Sequence, residues 1–493
     1  MAVFWVFILK ISFYFCLFLF SLTIVKNSKK IALVITDGVG FRNFVMSDFI
    51  LEIENVFDSV SIYSGLPDAV FENIKLSEKT KIFELALFNE KKSTWFFRKW
   101  KEIAHLTKFR SFAGMNENLV LGYPKNNHFG SIFIKIVYAV TKFWHSNTSI
   151  LFAEKMQFST FSNHKVTRSY FQLIRNDQPD LVFFTHQRPS YLAPLLHASI
   201  KMKIKTATFI FSWDNLASKG RMLGSFDYFL VWSDLMQSEM LHFYDEVDSS
   251  QITVVGTPQF EPYVLDRFKT DKLQFFKKFK LIENQKIVCY SCADATIGAN
   301  DSIVIAALAE AIRKKDITGA QLLVRTSPAE LPDRFQNIID QYPEIKWNFP
   351  KWTSARIKHT EAWSQRIPSQ EDIADLRAIL EFSDLSVNMC STMSLDFMLF
   401  DKPVINTVFG NKQNGLFDDQ RFLGYDHFKK VVDSQAVMIA KDANELVIAV
   451  NNYLQNPALD AVQRSAMIKL QISKPLAGTS KRIAKALSKI ANV

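Results

Sequence analysis

The sequence predicts an α/β protein of two Rossmann-like domains, each a doubly wound parallel sheet, that face each other across a cleft. Three observations support this fold class. The chain has 493 residues, enough for roughly two to four domains, and 48% of them are hydrophobic. Short continuous apolar runs occur in two series, and longer amphipathic segments separate the runs. Fully buried strands that alternate with helices are typical of parallel sheets covered on both sides.

The apolar runs divide the chain into two halves. The candidate strands of the first series are 31–36, 60–64, 181–185, 206–211, 229–232 and 252–256. Those of the second series are 287–291, 322–326, 385–389 and 404–408, with a weaker run at 436–440. Thr257 and Pro258 interrupt the pattern, so we expect a linker near 258–270. The predicted units are a first domain, 28–260, a second domain, 261–475, and a basic C-terminal helix, 476–493.

The N-terminus has the composition of a membrane anchor. Residues 2–25 are almost wholly apolar, interrupted by Lys10, and the basic residues Lys26, Lys29 and Lys30 follow. A membrane-spanning helix needs about 20 apolar residues. A cleaved signal peptide is disfavoured because the basic residues follow the apolar run. We therefore expect a hydrophobic anchor over 1–27, with the rest of the chain on the cytoplasmic face of the membrane. The alternative is a true start near Ser28, ahead of a cytosolic strand.

A basic and aromatic stretch, 91–110, is a second candidate membrane contact. It carries seven Lys or Arg residues against one acid, Glu102, and aromatic residues, among them Trp95, Phe96, Phe97 and Trp100, are interleaved. This composition fits a helix lying on anionic lipid, but an ordinary amphipathic helix whose aromatic side chains enter the core fits equally well. The formal net charge of +10 also suits a partner with phosphate groups. No nucleic-acid-binding motif accompanies it, so nucleic acid is not an expected partner.

The most informative segment is 382–409. Its candidate strand ends shortly before Ser391 and Thr392, and a helix containing Asp396 follows. The free N–H groups and the dipole of a helix N-terminus attract phosphate, and the two hydroxyl groups can add hydrogen bonds. Asp396 lies one turn further on, where a carboxylate can accept hydrogen bonds from a ribose. The alternative is that Ser391 or Thr392 only caps the helix.

Polar and aromatic residues of the first half follow candidate strands, at the sheet edge where ligands bind in open α/β folds. They are Asp37, Arg42, His186, Trp213, Asp214 and Asn215. His186 suits a general base because the ordinary pKa of histidine is near neutral. Trp213 with its polar neighbours suits the face of a sugar. The alternatives are a structural histidine and a tryptophan in the domain interface.

Motifs for metal or cofactor chemistry are missing from the sequence. There is no D-x-D, no P-loop and no G-x-S-x-G. Cys289 and Cys292 form a single C-x-x-C, and no second cysteine pair offers zinc four ligands, so buried thiols are expected. We therefore expect no metal and no cofactor.

The two halves, the Gly-Thr-Pro linker and the strand–turn–helix segment together resemble the GT-B glycosyltransferases. In that superfamily a serine or small-residue turn contacts the donor diphosphate, and an acidic residue seven positions before a proline binds the ribose. Asp396 and Pro403 have this spacing. The pattern from Asp384 to Pro403 also resembles CDP-glycerol glycerophosphotransferases and bacterial surface-carbohydrate transferases. In the CDP-glycerol glycerophosphotransferases, a basic residue followed by a proline precedes this segment. Arg325 and Pro328 resemble that basic residue and that proline.

The resemblance implies a membrane-associated, metal-independent glycosyltransferase of the cell envelope. Its nucleotide-sugar donor would be a substrate rather than a cofactor, and its acceptor a surface polysaccharide or a lipid-linked glycan. The implied donor-binding residues are Arg325, Ser391, Thr392 and Asp396 of the second domain. The implied first-domain residues are Asp37 and His186 for catalysis, and Arg42, Trp213, Asp214 and Asn215 for acceptor binding. The alternatives are a CDP-glycerol-type glycerophosphotransferase, a UDP-sugar 2-epimerase and a binding protein of the same fold without activity.

Overall fold

The computed structural model shows two parallel β-sheets with helices between their strands. It describes residues 28–492 except Leu87, 127–128, Thr296, Glu330, 357–361 and 411–418. The segment predicted as a hydrophobic anchor, residues 1–27, lies outside the described residues. Within the described part of the chain, no helix is both long and apolar enough to cross a membrane.

The first sheet belongs to the first half of the chain. Its strands are β1 Lys30–Ile35, β2 Ser59–Ser64, β3 Thr80–Glu84, β4 Leu181–Phe184, β5 Lys205–Phe209, β6 Tyr228–Val231 and β7 Ile252–Val254. They pair in parallel in the order β3-β2-β1-β4-β5-β6-β7. The order reverses between β1 and β4, so a crevice opens at their carboxyl ends, where open α/β sheets bind ligands.

The second sheet has the same design. Its strands are β8 Lys286–Ser291, β9 Ala320–Arg325, β10 Lys346–Asn348, β13 Leu385–Asn388, β14 Val404–Thr407 and β15 Met438–Ala440, while β11 Trp352–Ser354 and β12 Arg366–Pro368 form a separate antiparallel pair. The sheet order is β10-β9-β8-β13-β14-β15, all parallel. Its order reverses between β8 and β13, directly before the turn that carries Ser391 and Thr392.

Helices connect the strands in both halves. Those of the first half are α1 Gly38–Phe44, α2 Phe49–Glu54, α3 Lys92–Lys108, α4 Ala113–Leu121, α5 Phe129–Thr141, α6 Asn147–Ser159, α7 Lys165–Asp177, α8 Ala193–Lys201, α9 Asn215–Ser218 and α10 Asp234–Phe243. Those that follow are α11 Lys272–Phe279, α12 Asp301–Arg313, α13 Gln336–Gln341, α14 Gln370–Phe382, α15 Met393–Met398, α16 Asp426–Asp433, α17 Ala443–Gln455, α18 Ala461–Gln471 and α19 Thr479–Asn492. Ser233, Ser369 and Asp442 cap their helices by accepting a backbone N–H bond.

The predicted fold class, two separate parallel sheets in Rossmann-like halves, is confirmed by this architecture. The continuous apolar runs are the central strands, and β1 illustrates the reason, because its residues from Ile31 onwards are fully buried. The sequence does not reveal β3, β10, β11 or β12. These strands are short or partly exposed edge strands, so they lack a continuous apolar run. Cys289 and Cys292 are both buried, as expected.

The basic and aromatic stretch 91–110 forms α3, which packs on α5 and α6. Arg98 forms ion pairs with Glu90 and Glu102, both at 2.8 Å. Lys101 is buried and its Nζ donates to the carbonyl of Leu223 at 2.6 Å. The aromatic side chains of α3 pack against buried residues of α5. Of the two interpretations of this stretch, the structure therefore favours an amphipathic helix of the fold.

The C-terminal helix α19 returns to the first half and packs on α2 and β4. Its buried face includes Ile483 and Leu487. The N–H of Ser480 donates to Glu261 Oε1 at 3.0 Å, and Lys205 Nζ donates to the carbonyl of Ile490 at 3.2 Å. The chain thus crosses between the two halves a second time, and its last helix completes the first domain.

A close backbone contact joins the halves at the start of α1. Gly38 lies against the backbone of β12 in the second half, where a Cβ atom on Gly38 would sit 1.6 Å from the carbonyl oxygen of Arg366. Real atoms cannot approach this closely, so only glycine fits without movement of one domain relative to the other.

Gly38→Ala should therefore lower the melting temperature, because the added methyl group must push α1 and β12 apart. Overpacking of this kind costs about 1–3 kcal/mol. Gly424→Ala is the matched control, since no atom lies within 4 Å of the Cβ position there. The measurement is thermal unfolding of both variants and the parent chain. Equal melting temperatures for the two variants would contradict the contact.

Candidate functional site

The loop after β5 and the turn after β13 meet between the two sheets. The indole Nε1–H of Trp213 donates to Thr392 Oγ1 at 3.1 Å, and Trp213 is almost completely buried. His427, at the start of α16, packs edge-on against the Trp213 ring with centroids 5.0 Å apart and shares a 2.8 Å hydrogen bond with the Ser218 hydroxyl. Residues predicted for the acceptor and donor sides are therefore in direct contact.

A cavity of about 930 Å³ lies beside this contact, at the carboxyl ends of β4 and β5. Its polar lining includes His186, Asp214 and Asn215, together with the cationic side chains of Arg188 and Lys219. Helices α3 and α5 form another wall, and Trp363 reaches it from the second half. The cavity has the size of a small-ligand site and combines apolar walls with a few convergent polar groups.

His186 lines the cavity as a buried, neutral side chain. Burial, with a further contribution from the charge of Arg188, lowers its pKa to about 3, so the ring is neutral at physiological pH. Its Nδ1 accepts the Arg188 backbone N–H at 3.1 Å, and its ring stacks on Phe211 with centroids 4.0 Å apart. Because Nδ1 acts as an acceptor, the proton lies on Nε2. The pKa is therefore lower than the ordinary value for histidine, and His186 is suited to donate a hydrogen bond from Nε2, while its catalytic role stays a prediction.

Asp214 is an ionised carboxylate in the cavity wall. Burial acts to raise its pKa, but Lys219 and His427, with hydrogen bonds from Ser212 and Asn215, lower the pKa to about 2. Lys219 Nζ lies 3.6 Å from Asp214 Oδ2, and Asn215 Nδ2 donates to Oδ1 at 2.9 Å. Asn215 is itself oriented by the side-chain amide of Gln187, which donates to it at 2.8 Å. The predicted pair Asp214 and Asn215 therefore belongs to one polar network facing the cavity.

Asp37 and Arg42 lie apart from this network. Asp37 is only 1% exposed, and its carboxylate accepts the Gly40 N–H and the Thr36 hydroxyl, both at 2.8 Å, which caps α1. It is not among the residues that line the cavity. Asp37 therefore caps α1 in this structure, and its catalytic role stays a prediction. The charge of Arg42 acts to lower the pKa of Asp396, so Arg42 lies nearer to the predicted donor residues than to the cavity.

The turn after β13 presents polar groups between the two sheets. Cys390 adopts a left-handed conformation with φ of 44°, which reverses the chain, and the Ser391 N–H donates to Asn388 Oδ1 at 3.0 Å. Ser391 Oγ accepts the Met393 N–H at 3.3 Å. Ser391 and Thr392 are both partly exposed. The following helix, α15, has only six residues, so its dipole is weaker than the sequence suggested.

Arg325 and Asp396 are both used within the fold. The Arg325 guanidinium forms a buried bidentate pair with Asp372, with N–O distances of 3.1 and 3.0 Å, and also donates to Asn348. Three of the five guanidinium N–H groups of Arg325 therefore hold the second half together, and its role in donor binding stays a prediction. Asp396 is 3% exposed and accepts the hydroxyl of Tyr263. In this structure Asp396 holds the linker, and a ribose would have to displace that hydroxyl.

Several residues of the site were not predicted from the sequence. Arg188 follows His186 by two positions at the same strand end, so its sequence position already pointed to the cavity. Lys219 follows Asp214 within one loop. Tyr263 and Trp363 gave no sequence signal, because each reaches the site from another segment of the chain. Among the residues that the structure describes, no group of three or more His, Cys, Asp or Glu side chains is placed to hold a metal ion.

Asp396→Asn should stabilise the protein at pH 7 and have little effect at pH 4. Burial raises the pKa of Asp396 from 3.8 to about 6, so the folded state favours the protonated form. The stability of the folded protein with protonated Asp396 is fully present below pH 3.8 and is lost as the pH rises through 6. Asparagine cannot ionise, so the variant does not lose this stability. The difference corresponds to at most about 3 kcal/mol. The measurement is the melting temperature of both proteins between pH 4 and 7.

Asp301→Asn provides the matched comparison. Asp301 is also buried, accepts the Tyr290 hydroxyl and has a pKa raised to about 6, but it forms an ion pair with Arg334 at 2.8 Å. The loss of this pair should offset the gain from removing the charge. A lower melting temperature of Asp396→Asn at pH 7 would show instead that the cations near Asp396 dominate.

The fold has counterparts among solved structures. MnaA of S. aureus, solved with UDP, is 12% identical, with a TM-score of 0.54 over 94% of this chain and 97% of that chain. A UDP-N-acetylglucosamine 2-epimerase is 10% identical, with a TM-score of 0.50 over 93% and 95%. No protein-family model and no curated protein sequence matches the chain. At these identities the likeness concerns the fold alone, and the predicted resemblance is confirmed at that level: the chain has the GT-B fold.

Proposed function

We propose that the protein is a glycosyltransferase that moves a sugar from a nucleotide-activated donor to a surface polysaccharide or a lipid-linked acceptor. The observation that carries the proposal is the hydrogen bond between Trp213 and Thr392, which joins the predicted acceptor loop to the predicted donor turn. A transferase needs its two substrates side by side, and this contact lies next to a cavity large enough for one of them.

On the donor side, the turn that contains Ser391 and Thr392 would hold the diphosphate. Both residues are partly exposed and carry hydroxyl groups, and Thr392 faces the acceptor loop. Hydrogen-bond donors fixed in advance can stabilise the charge that develops on a leaving diphosphate. The solved S. aureus structure of the same fold contains UDP, which supports a uridine nucleotide as the first donor to test.

On the acceptor side, the cavity would hold the hydroxyl group that is glycosylated. We prefer Asp214 to Asp37 and His186 as the base. Asp37 does not line the cavity, and neither His186 nitrogen is free to accept a proton, because Nδ1 accepts the Arg188 N–H and Nε2 carries the ring proton, whereas the Asp214 carboxylate is ionised and lies in the cavity wall. An acceptor hydroxyl that donates to this carboxylate would lose its proton as the new bond forms. His186 would donate from Nε2 to a second acceptor oxygen. Arg188 and Lys219 provide positive charge for a phosphate on a lipid-linked acceptor.

The cavity favours a transferase over the other activities of this fold. A 2-epimerase converts a single nucleotide sugar and needs no site for a second substrate. A glycerophosphotransferase would use the same donor turn with a CDP-linked donor. The buried position of Asp37 favours a protein without activity, but His186 and Asp214 still face the cavity. Attachment to the cytoplasmic face of the membrane through residues 1–27 remains part of the proposal.

Donor binding should be detectable by calorimetry with UDP-, GDP-, CDP- and CMP-linked sugars and with CDP-glycerol. Thr392→Val should weaken the preferred donor by about two- to tenfold, because a neutral hydrogen bond contributes about 0.5–1.5 kcal/mol. Trp213→Phe is the matched control, since it removes the same interdomain hydrogen bond and keeps the Thr392 hydroxyl. Equal effects of the two variants would remove Thr392 from the donor site.

The type of reaction can be tested with the preferred donor alone, followed by NMR. A transferase should slowly hydrolyse the donor, with water in place of the acceptor, whereas an epimerase should produce a second nucleotide sugar. Asp214→Asn should reduce hydrolysis by about a hundredfold or more and leave donor affinity unchanged. Formation of an epimer, or full hydrolysis activity in this variant, would contradict the proposed mechanism.

A further inference from the structure

Helix α5 and its surroundings expose an unusually apolar surface. Phe143 is 85% exposed and Trp144 is 63% exposed, just after the helix ends. Ile132 and Ile136, one turn apart on α5, are also exposed. We call these four residues the α5 face. A contiguous exposed apolar patch of this kind marks an interaction site.

The other side of α5 is already used by the fold. Ile134, Val137 and Tyr138 are buried against Ile103 and the aromatic side chains of α3. The helix is therefore apolar on two sides, and only one of them packs against protein. The exposed side is not needed to hold α5 in place, because its opposite side already anchors it.

The chain segment that contains the α5 face carries charge of one sign only. No acidic residue occurs between Glu117 and Glu154, and this stretch contains Lys125, Lys135 and Lys142. Lys125 and Lys142 are exposed. Aromatic and aliphatic side chains bordered by lysines are typical of helices that bind anionic lipid. A second copy of the chain is disfavoured, because a two-fold interface on this face would bring like charges together.

The dimensions of α5 decide how it would meet a bilayer. Its 13 residues span about 20 Å at 1.5 Å per residue, which is shorter than the roughly 30 Å hydrocarbon core. The helix cannot cross a membrane, but it can lie in the interface. Phe143 and Trp144 at its end are residue types that settle at the headgroup level.

We propose that the α5 face docks on the surface of an anionic lipid bilayer. This inference rests on exposure and charge and does not depend on the proposed function. It moves the membrane contact from α3, where the sequence suggested it, to the neighbouring helix. The buried side of α5 lines the cavity through Ile134 and Tyr138, so docking would bring the cavity close to the lipid headgroups.

Hydrogen exchange of the full chain on vesicles tests this proposal. The vesicles contain phosphatidylcholine alone or mixed with phosphatidylglycerol, and exchange is read by mass spectrometry of peptides that cover 132–144. Residues 1–27 can attach the chain to both kinds of vesicle, so local exchange rather than binding is the readout. We expect exchange in this segment to slow by about tenfold on the anionic vesicles only.

Ile136→Glu combined with Phe143→Glu should abolish the slowing. The matched control is Ile448→Glu combined with Val462→Glu, whose side chains are 59% and 81% exposed on α17 and α18. This control should retain the full effect. Donor binding by calorimetry should be the same in both double variants, so a failure of the proposed function would leave the lipid result standing.

Two outcomes would overturn the proposal. One is the same exchange rate in 132–144 on anionic and zwitterionic vesicles. The other is slowing that appears without lipid and grows with protein concentration, which would identify a second copy of the chain as the occupant of the α5 face.

Discussion

The hydrogen bond between Trp213 and Thr392 ties the two domains together at the point where both sheets end. Parallel sheets collect the carboxyl ends of their strands at one edge, so a contact between the two edges determines which loops share a site. The glycine contact of α1 with β12 fixes the same interface from the other side. The turn after β13 and Tyr263, whose hydroxyl donates to Asp396, lie at this interface, and Trp363 of the second half completes the lining of the cavity.

Charged residues that looked like ligand groups hold the protein itself together. Arg325 pairs with Asp372, Asp396 accepts the Tyr263 hydroxyl, and Asp37 caps α1. A buried charge is tolerated only when it is paired and hydrogen-bonded, and these partners meet that need. Asp214 and His186 are directed into the cavity. Their partners within the protein leave the Asp214 carboxylate able to accept a hydrogen bond and the His186 Nε2–H able to donate one.

The helical insertion between β3 and β4 has two roles in this structure. Helices α3 and α5 form a wall of the cavity, and α5 also exposes an apolar face bordered by lysines. The composition predicted a membrane contact at α3, because basic and aromatic residues are concentrated in that helix. Composition alone does not tell which side of a helix is buried. The packing shows that the aromatic side chains of α3 contact the core, whereas one apolar side of α5 is exposed.

The sequence by itself determined the two sheets, the central strands and the strand ends at which Asp214, His186 and Thr392 lie, because burial and helix periodicity leave a local pattern. Edge strands such as β3 have no such pattern, because they are partly exposed. Only the tertiary structure decided which polar groups remain available. Arg325 meets a partner 47 residues away, Asp396 one 133 residues away and Thr392 one 179 residues away. Pairings over such distances depend on how the domains pack, and no local pattern records them.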